Sequence, residues 1–204
     1  MKTGILASLL AFVLSTNTIA VKGPYMSEIL VQVKEPISLF NGKDLTGWGY
    51  RTKIQEQLVF ESFDGKRETK ENRFFAKDGI LTVNPYTEGY AERYGIIWTA
   101  KEFTKDFVLT LEFRASRNAD SGIYLRGIQL QCRDYLLAGP YKNLKNYKPQ
   151  DWNKIEVVVK NNSARCTCND EIIEESLSIP VTGPIGFESD RGQLEYRNII
   201  VREL

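Results

Sequence analysis

Between Tyr124 and Arg133, five hydrogen-bonding side chains fall close together: Tyr124, Arg126, Gln129, Gln131 and Arg133. Phenol, guanidinium and amide groups in a row can donate to and accept from hydroxyls. With one aromatic ring for stacking, such a set suits a sugar better than a phosphate or a lipid. The elements around them must bring them to one surface. Residues 107–114 read FVLTLEFR, in which Leu109, Leu111 and Phe113 alternate with Thr110, Glu112 and Arg114. That is the period of a strand with one buried face. Ala115 to Asp120 make a loop, and a second strand follows with Ile123 and Leu125 on one face and Tyr124 and Arg126 on the other. After Gly127 the parity changes, and Ile128, Leu130 and Cys132 take the even positions. An extra residue at Gly127, as a bulge or a tight corner, then keeps every polar group on one side. The same pattern also describes the solvated face of an antiparallel sheet.

Composition narrows the chemistry. The chain has 204 residues and no histidine. This removes Ser-His-Asp and Cys-His nucleophiles, His-ligated zinc and a histidine base. Any catalyst must use carboxylates, Tyr, Lys or Arg. No cofactor is called for, and an oxygen-ligated divalent metal is left open. Met1 to Ala20 reads as a secretory signal: Lys2, an apolar run from Ile5 to Leu14, then the small-residue site Thr18-Ile19-Ala20. The expected location is therefore exported, periplasmic or extracellular. Without that leader the chain carries 26 basic and 26 acidic residues, which argues against nucleic acid as a partner. No later apolar run is long enough for a membrane span. Oligomeric state is not legible.

Cys166 and Cys168 sit two apart on an expected strand, about 6.6 Å from each other on one face. A bond between them would strain the ladder. A disulfide, if one forms, joins Cys132 to one of them, and buried core thiols are the simpler reading.

Residues 21–35 read as a tether, and one domain is expected over 36–204. Ile37 to Phe40 begin it, followed by an Asn41-Gly42 turn. Trp48 fits a core residue closing a sandwich better than a sugar platform. Residues 50–75 read as an irregular excursion with a short helix near Gln55 to Phe60. A hairpin is expected at Phe74 to Val83 around Asp78-Gly79, a Tyr- and Glu-rich loop at 84–94, and a strand at Gly95 to Thr99. Residues 135–150 read as a long loop bordering the site. Strands return around Asn161-Asn162 and Asn169-Asp170 turns and end in Ile185 to Glu188 and Leu194 to Val201. About ten or more strand candidates and no convincing long helix predict an all-β, two-sheet antiparallel sandwich or jelly roll.

The motifs LFNGKDLTGW, DGILTV, WTAKEFTKDFVLTLEFR, SGIYLRG, QLQCRD, WNKIEVVVK and GPIGFESDRGQLEYRNIIVREL occur in the order seen in a known family. Over roughly residues 36–204 the chain resembles the 3-keto-disaccharide hydrolase domain family. The resemblance implies a concanavalin-A-like jelly roll with its site on a concave sheet. It also implies a secreted hydrolase or lyase acting on 3-keto-glycosides, a carbohydrate being substrate or ligand. A carbohydrate-binding module on the same fold is the alternative. Two positions depart from the pattern. Gln129 stands where many members carry Glu, and Glu188 where many carry Gln. A carboxylate has moved between strands, or has been lost.

A 3-keto sugar needs one base to remove the hydrogen beside the ketone, a group to hold the enolate oxygen, and donors for hydroxyls. The candidate bases are Glu188, Asp134 and Asp120, and Arg126 is the candidate enolate stabiliser. Tyr124, Gln129, Gln131 and Arg133 are expected to grip hydroxyls. Glu195 and Arg197 are expected to pair with each other beneath the site, or to be a purely structural ion pair.

Overall fold

The computed structural model describes residues 35–86 and 95–204 and, before them, an antiparallel pair of β1 (Thr18–Ile19) with β2 (Val31–Gln32). The rest of the leader and tether, and residues 87–94 of the Tyr- and Glu-rich loop, lie outside the described residues. The chain divides into units 1–35 and 36–204, and the site lies in the second.

That unit is built from short strands. First come β3 (Ile37–Ser38), β4 (Trp48–Ile54), β5 (Gln57–Ser62), β6 (Phe74–Lys77), β7 (Ile80–Val83) and β8 (Gly95–Thr99). Next are β9 (Phe107–Ala115), β10 (Gly122–Leu125), β11 (Ile128–Gln131) and the short helix α1 (Tyr135–Ala138). Last are β12 (Asn153–Lys160), β13 (Ser163–Cys168), β14 (Glu171–Ser178), β15 (Ile185–Ser189) and β16 (Leu194–Glu203). They form two antiparallel sheets. One has six strands in the order β11-β10-β15-β8-β4-β5, and the other has eight, β14-β13-β12-β9-β16-β7-β6 with β3 on β16. This is the expected all-β sandwich.

The alternation of β9 is realised: Phe107, Leu109, Leu111 and Phe113 are buried, in register with Val159, Val157, Ile155 and Asn153 of β12. On the other side of β9, strand β16 changes parity at Asn198, whose φ of 53° marks a bulge. Leu194 and Tyr196 before it, and Ile199 and Val201 after it, all reach the core. Burying each such side chain is worth about 1.5–3 kcal/mol, so the break in parity preserves apolar contact on both halves of the strand. Trp48 is a core residue. Its ring stacks on Phe187 at 5.2 Å, and its Nε1 donates to the Leu39 carbonyl at 2.7 Å. The three cysteines are buried, unbonded thiols, as the simpler reading held. Burial pushes Cys166 and Cys168 up to about 12.

Two local expectations are corrected. Residues 50–62 contain no helix. β4 and β5 form a hairpin whose turn residues, Gln55 and Glu56, both have positive φ, 49° and 65°. The second correction concerns Arg126. Of the bulge and the tight corner expected at Gly127, the chain makes the corner. β10 and β11 are a two-residue hairpin, with Arg126 and Gly127 as the left-handed turn (φ 51° and 94°). Such a turn matches the twist of the flanking strands. It also redirects Arg126 away from the face that carries Tyr124.

Arg126 is therefore not on the face that carries Tyr124. It is 3 % exposed. Its Nη1 donates to the carbonyls of Asn161 (2.8 Å) and Pro180 (3.1 Å), and its Nη2 to the carbonyl of Lys105 (2.6 Å). The guanidinium lies 5.5 Å from the centroid of the Phe107 ring. Lys105 precedes β9, Asn161 lies in the β12–β13 turn, and Pro180 follows β14. One cation at the tip of a six-stranded-sheet hairpin thus ties three chain segments at one end of the other sheet. Burial lowers its pKa, partly offset by Asp106.

Removing that cation leaves three carbonyls without their charged donor. Arg126→Ala is expected to lower unfolding stability by about 2–3 kcal/mol, the scale of a hydrogen bond to a charged group. Any activity per folded molecule should be unchanged. A urea midpoint equal to that of the unaltered protein would show that the tie carries no weight.

Candidate functional site

The outward face of the six-stranded sheet carries the polar cluster. In β15, Phe187 points into the core and stacks on Tyr196 at 4.2 Å. Its neighbour Glu188 must then face outward. β10 lies beside β15, and β11 lies beyond β10. In register, Tyr124 stands opposite both Gly186 and Gln129.

Glu188 is the meeting point. Tyr124 OH donates to its Oε1 at 3.2 Å, and Gln129 Nε2 donates to its Oε2 at 2.5 Å. Gln131 Nε2 in turn donates to Gln129 Oε1 at 3.0 Å. The reach across β10 depends on Gly122. A Cβ there would lie 2.5 Å from Gln129 Cγ and Nε2, so only glycine lets the amide lie flat over that strand. Gly186 does the same for Trp98, where a Cβ would lie 2.6 Å from the indole. Trp98 meets Tyr124 edge to face at 5.4 Å. Gln131 Oε1 is buried and has no partner among the described residues. An acceptor in that state is suited to a ligand hydroxyl.

Glu188 is 8 % exposed. Burial raises its pKa above the ordinary carboxyl value, opposed by the Tyr124 hydrogen bond. The charges of Asp190 and Asp120 add to the rise, and the Gln129 hydrogen bond opposes it. Tyr124 is pushed up to about 12, first by burial and then by Glu188, so it is a neutral donor at ordinary pH. The arrangement is a desolvated carboxyl held by neutral donors beside an aromatic wall.

The other expected residues divide. Asp120 lies near enough to influence Glu188 but is ion-paired with Arg133 at 2.8 Å and with Arg191 at 3.4 Å. Arg133 also donates to the carbonyls of Ala138 and Gly139. It holds the end of α1 rather than a hydroxyl. Asp134 is 1 % exposed and accepts from Asn118 N (2.9 Å), Tyr147 OH (3.3 Å) and Gln150 Nε2 (3.2 Å). It latches loops together and makes no contact with Glu188. Glu195 and Arg197 do not pair with each other. On β16 they flank inward-facing Tyr196, so they lie on the outer face of the eight-stranded sheet. Glu195 binds Arg114 at 2.5 Å, and Arg197 binds Glu112 at 2.9 Å. Both arginines pack on Trp152, at 4.9 and 3.9 Å. Opposite charges across the antiparallel ladder are closer than residues two apart along one strand. Among the described residues no three His, Cys, Asp or Glu side chains converge as a metal site.

Trp98 was not expected at the site. The signal was available: in Gly95–Thr99, Ile97 is the inward residue, so Trp98 must face outward beside Tyr124.

A family model for the 3-keto-alpha-glucoside-1,2-lyase-like domain matches residues 35–202. The chain belongs to this family. Among solved structures it is similar to a protein of Parabacteroides distasonis ATCC 8503, provisionally described as a glycosyl hydrolase. The identity is 15 % and the TM-score 0.59, over 83 % of this chain and 94 % of that one. A second protein of that organism, described in the same way, gives 17 % and 0.51 over 67 % and 93 %. A structure from work on endo-acting O-glycanases of the human gut microbiota gives 10 % and 0.51 over 84 % and 99 %. No curated protein matches. At these identities the structures speak for the fold. The family makes this a carbohydrate-active type of protein, and the solved structures share its fold. No helix among the described residues is long and apolar enough to cross a membrane.

The raised pKa of Glu188 has a consequence for stability. The folded chain holds this proton to higher pH than the unfolded chain. Between the two pKa values the folded state binds more protons, so stability falls as pH rises through that window. Below it both states are protonated and the penalty is absent. Glu188→Gln should remove this slope. Urea unfolding at a series of pH values from about 4 to about 8 checks it. Equal slopes in both proteins would mean that Glu188 titrates like an exposed carboxyl.

Proposed function

We propose that the protein cleaves 3-keto-glycosides by elimination and hydration, with Glu188 as the base. The supporting observation is the position of Glu188. It is a carboxylate of raised pKa, held by two neutral donors on the open face of a sheet, beside Trp98 and an unsatisfied amide oxygen of Gln131.

The proton removed is the one on the carbon between the ketone and the anomeric carbon. Its electron pair enters the ring as an enolate. The charge returns from the enolate oxygen to form the double bond to the anomeric carbon, and the anomeric substituent leaves with its bonding pair. Protonated Glu188 returns its proton to the departing oxygen. Water then adds across the double bond, its hydroxyl going to the anomeric carbon and its proton to the neighbour. The net change is hydrolysis. A raised pKa makes Glu188 a stronger base than an ordinary carboxylate once ionised. Tyr124 and the amides of Gln129 and Gln131 orient the sugar hydroxyls, and Trp98 offers its face to the ring.

Direct displacement, as in ordinary glycosidases, uses two carboxyl groups flanking the bond. Asp120, one of the two acids whose charges reach Glu188, is committed to two arginines. Elimination asks for a single base at the carbon beside the ketone, the role given to Glu188. The leader-like residues 1–20 support export, so that the substrate would be met outside the cytoplasm.

A binding module without turnover is the competing reading, and Gln129 in place of an acid favours it. Turnover of a 3-keto-glucoside separates the two. Glu188→Gln keeps the shape of the side chain and loses the base. Turnover should fall about a hundred- to ten-thousandfold while sugar affinity is retained. Unchanged turnover would remove Glu188 from the role. No turnover by the unaltered protein, with tight sugar binding, would establish the module.

A further inference from the structure

The face that carries Glu188 does not end at Trp98. One row of directly paired residues crosses all six strands: Gln129, Tyr124, Gly186, Trp98, Gly49 and Ser62. From Tyr124 to Gly49, large and absent side chains alternate along it. Trp98, on β8, covers Gly186 of the neighbouring β15. Gly49, on β4, is covered from the other side. A Cβ there would lie 2.2 Å from the Glu61 carbonyl oxygen and 2.7 Å from Phe60 Cζ, so both the backbone of β5 and the Phe60 ring, anchored on β5, close over Gly49. Each aromatic leans one strand toward Glu188. Their rings therefore lie over β15 and β4, two strand spacings or about 10 Å apart. That is the separation of two linked rings, not of the two sides of one.

Phe60 is half-buried and firmly backed. Arg51, its cross-strand partner, packs against it at 5.7 Å. The guanidinium itself is held by Glu102 at 2.8 Å and by the Thr99 carbonyl at 3.1 Å. Its charge is thus committed, and what the surface offers is the ring. Leu58, two residues along the same face of β5, is 60 % exposed and carries the apolar surface outward. A bare glycine under an aromatic ring is a costly arrangement in a strand, because glycine weakens the strand it sits in. Here it occurs twice on one face, on β15 and on β4, with β8 between them.

We infer that Phe60 and Leu58 form a subsite for the group attached to the reacting sugar, a second ring with an apolar face. This rests on the reading of Glu188 as the site of the reacting sugar. Two sources share that chemistry: a hexose presenting its C–H face, and an aromatic aglycone. An aromatic platform stacks either one. The second ring is the leaving group, so Phe60 is a specificity-determining residue that does not act on the bond being broken.

The test measures binding by calorimetry in the Glu188→Gln protein, which holds substrate without consuming it. Three probes are used: methyl, glucosyl and phenyl 3-keto-glucosides. Phe60→Ala should weaken the glucosyl or the phenyl compound, or both, by roughly tenfold and leave the methyl compound within about twofold. Phe60→Tyr, which keeps the ring, should restore the two-ring affinity and guards against a merely damaged hairpin. Sensitivity of the phenyl compound alone identifies an aromatic aglycone, and sensitivity of the glucosyl compound identifies a second sugar. Equal loss for all three probes, or no loss for any, overturns the subsite while leaving Glu188 in place. Failure of all three to bind even with Phe60 intact overturns both readings together.

Discussion

The contact that fixes the site is inside the core. Phe187 stacks on Tyr196 at 4.2 Å and on Trp48 at 5.2 Å, joining β15 to residues from both sheets. A strand has only two faces, so a ring locked inward forces the next residue outward. Removing a ring of this kind from a core costs about 3–5 kcal/mol, far more than any hydrogen bond made by Glu188. The position of the carboxylate is therefore set by packing. Ser121 Oγ donates to the Glu188 carbonyl at 2.5 Å and fixes the same backbone from the side of β10. The polar groups on the open face then need only small adjustments to meet.

Packing also explains the electrostatics. Burial is the largest cause of the raised pKa of Glu188. Of the two acids that add to the rise, Asp190 and then Asp120, Asp120 lies between two guanidinium groups. The donors that do touch Glu188 are a phenol and an amide. They hold the carboxylate in place without the strong stabilisation that a cation would give its charged form. Had Arg126 occupied the position expected from its sequence parity, it would have favoured the ionised, weakly basic carboxylate. Its withdrawal into the hairpin turn leaves Glu188 governed by desolvation.

Much of this was legible in the chain. The alternation of residues 107–114, the Asp78-Gly79 hairpin, the asparagine turns and the in-out order of Phe187 and Glu188 all follow from local rules, and the structure follows them. What failed was non-local. Parity change at Gly127 is equally compatible with a bulge and with a two-residue turn. Only the latter puts Arg126 at positive φ, and its side chain is claimed by the carbonyls of Lys105, Asn161 and Pro180, scattered over 76 residues of chain. Gln55 and Glu56 are poor turn formers by composition, so their hairpin was hidden. Glu195 and Arg197 were matched along one strand because the neighbour of β16 was unknown. Once β9 is placed beside it, Arg114 and Glu112 are the obvious partners. Trp98 is different: its outward face follows locally from the inward Ile97.

The altered pair, Gln129 and Glu188, is where local and non-local reasoning meet. The resemblance sets an acid on the β11 position in many relatives and an amide on the β15 position, the reverse of this chain. In sequence the two positions are 59 residues apart, and their exchange reads as a loss followed by an unrelated gain. In the fold they touch across Gly122, amide to carboxylate. Exchanging them preserves one acid–amide hydrogen bond, the same number of donors and the same net charge over the same spot. Only the strand that carries the carboxylate changes, by about two strand spacings at the backbone and much less at the side-chain tips. A single substitution at either position would leave two buried acids facing each other or two amides with no base. The first is electrostatically costly and the second is without a proton acceptor. The bare Cα of Gly122 is what leaves room for the contact, because a Cβ there would lie 2.5 Å from the Gln129 side chain that reaches across β10 to Glu188.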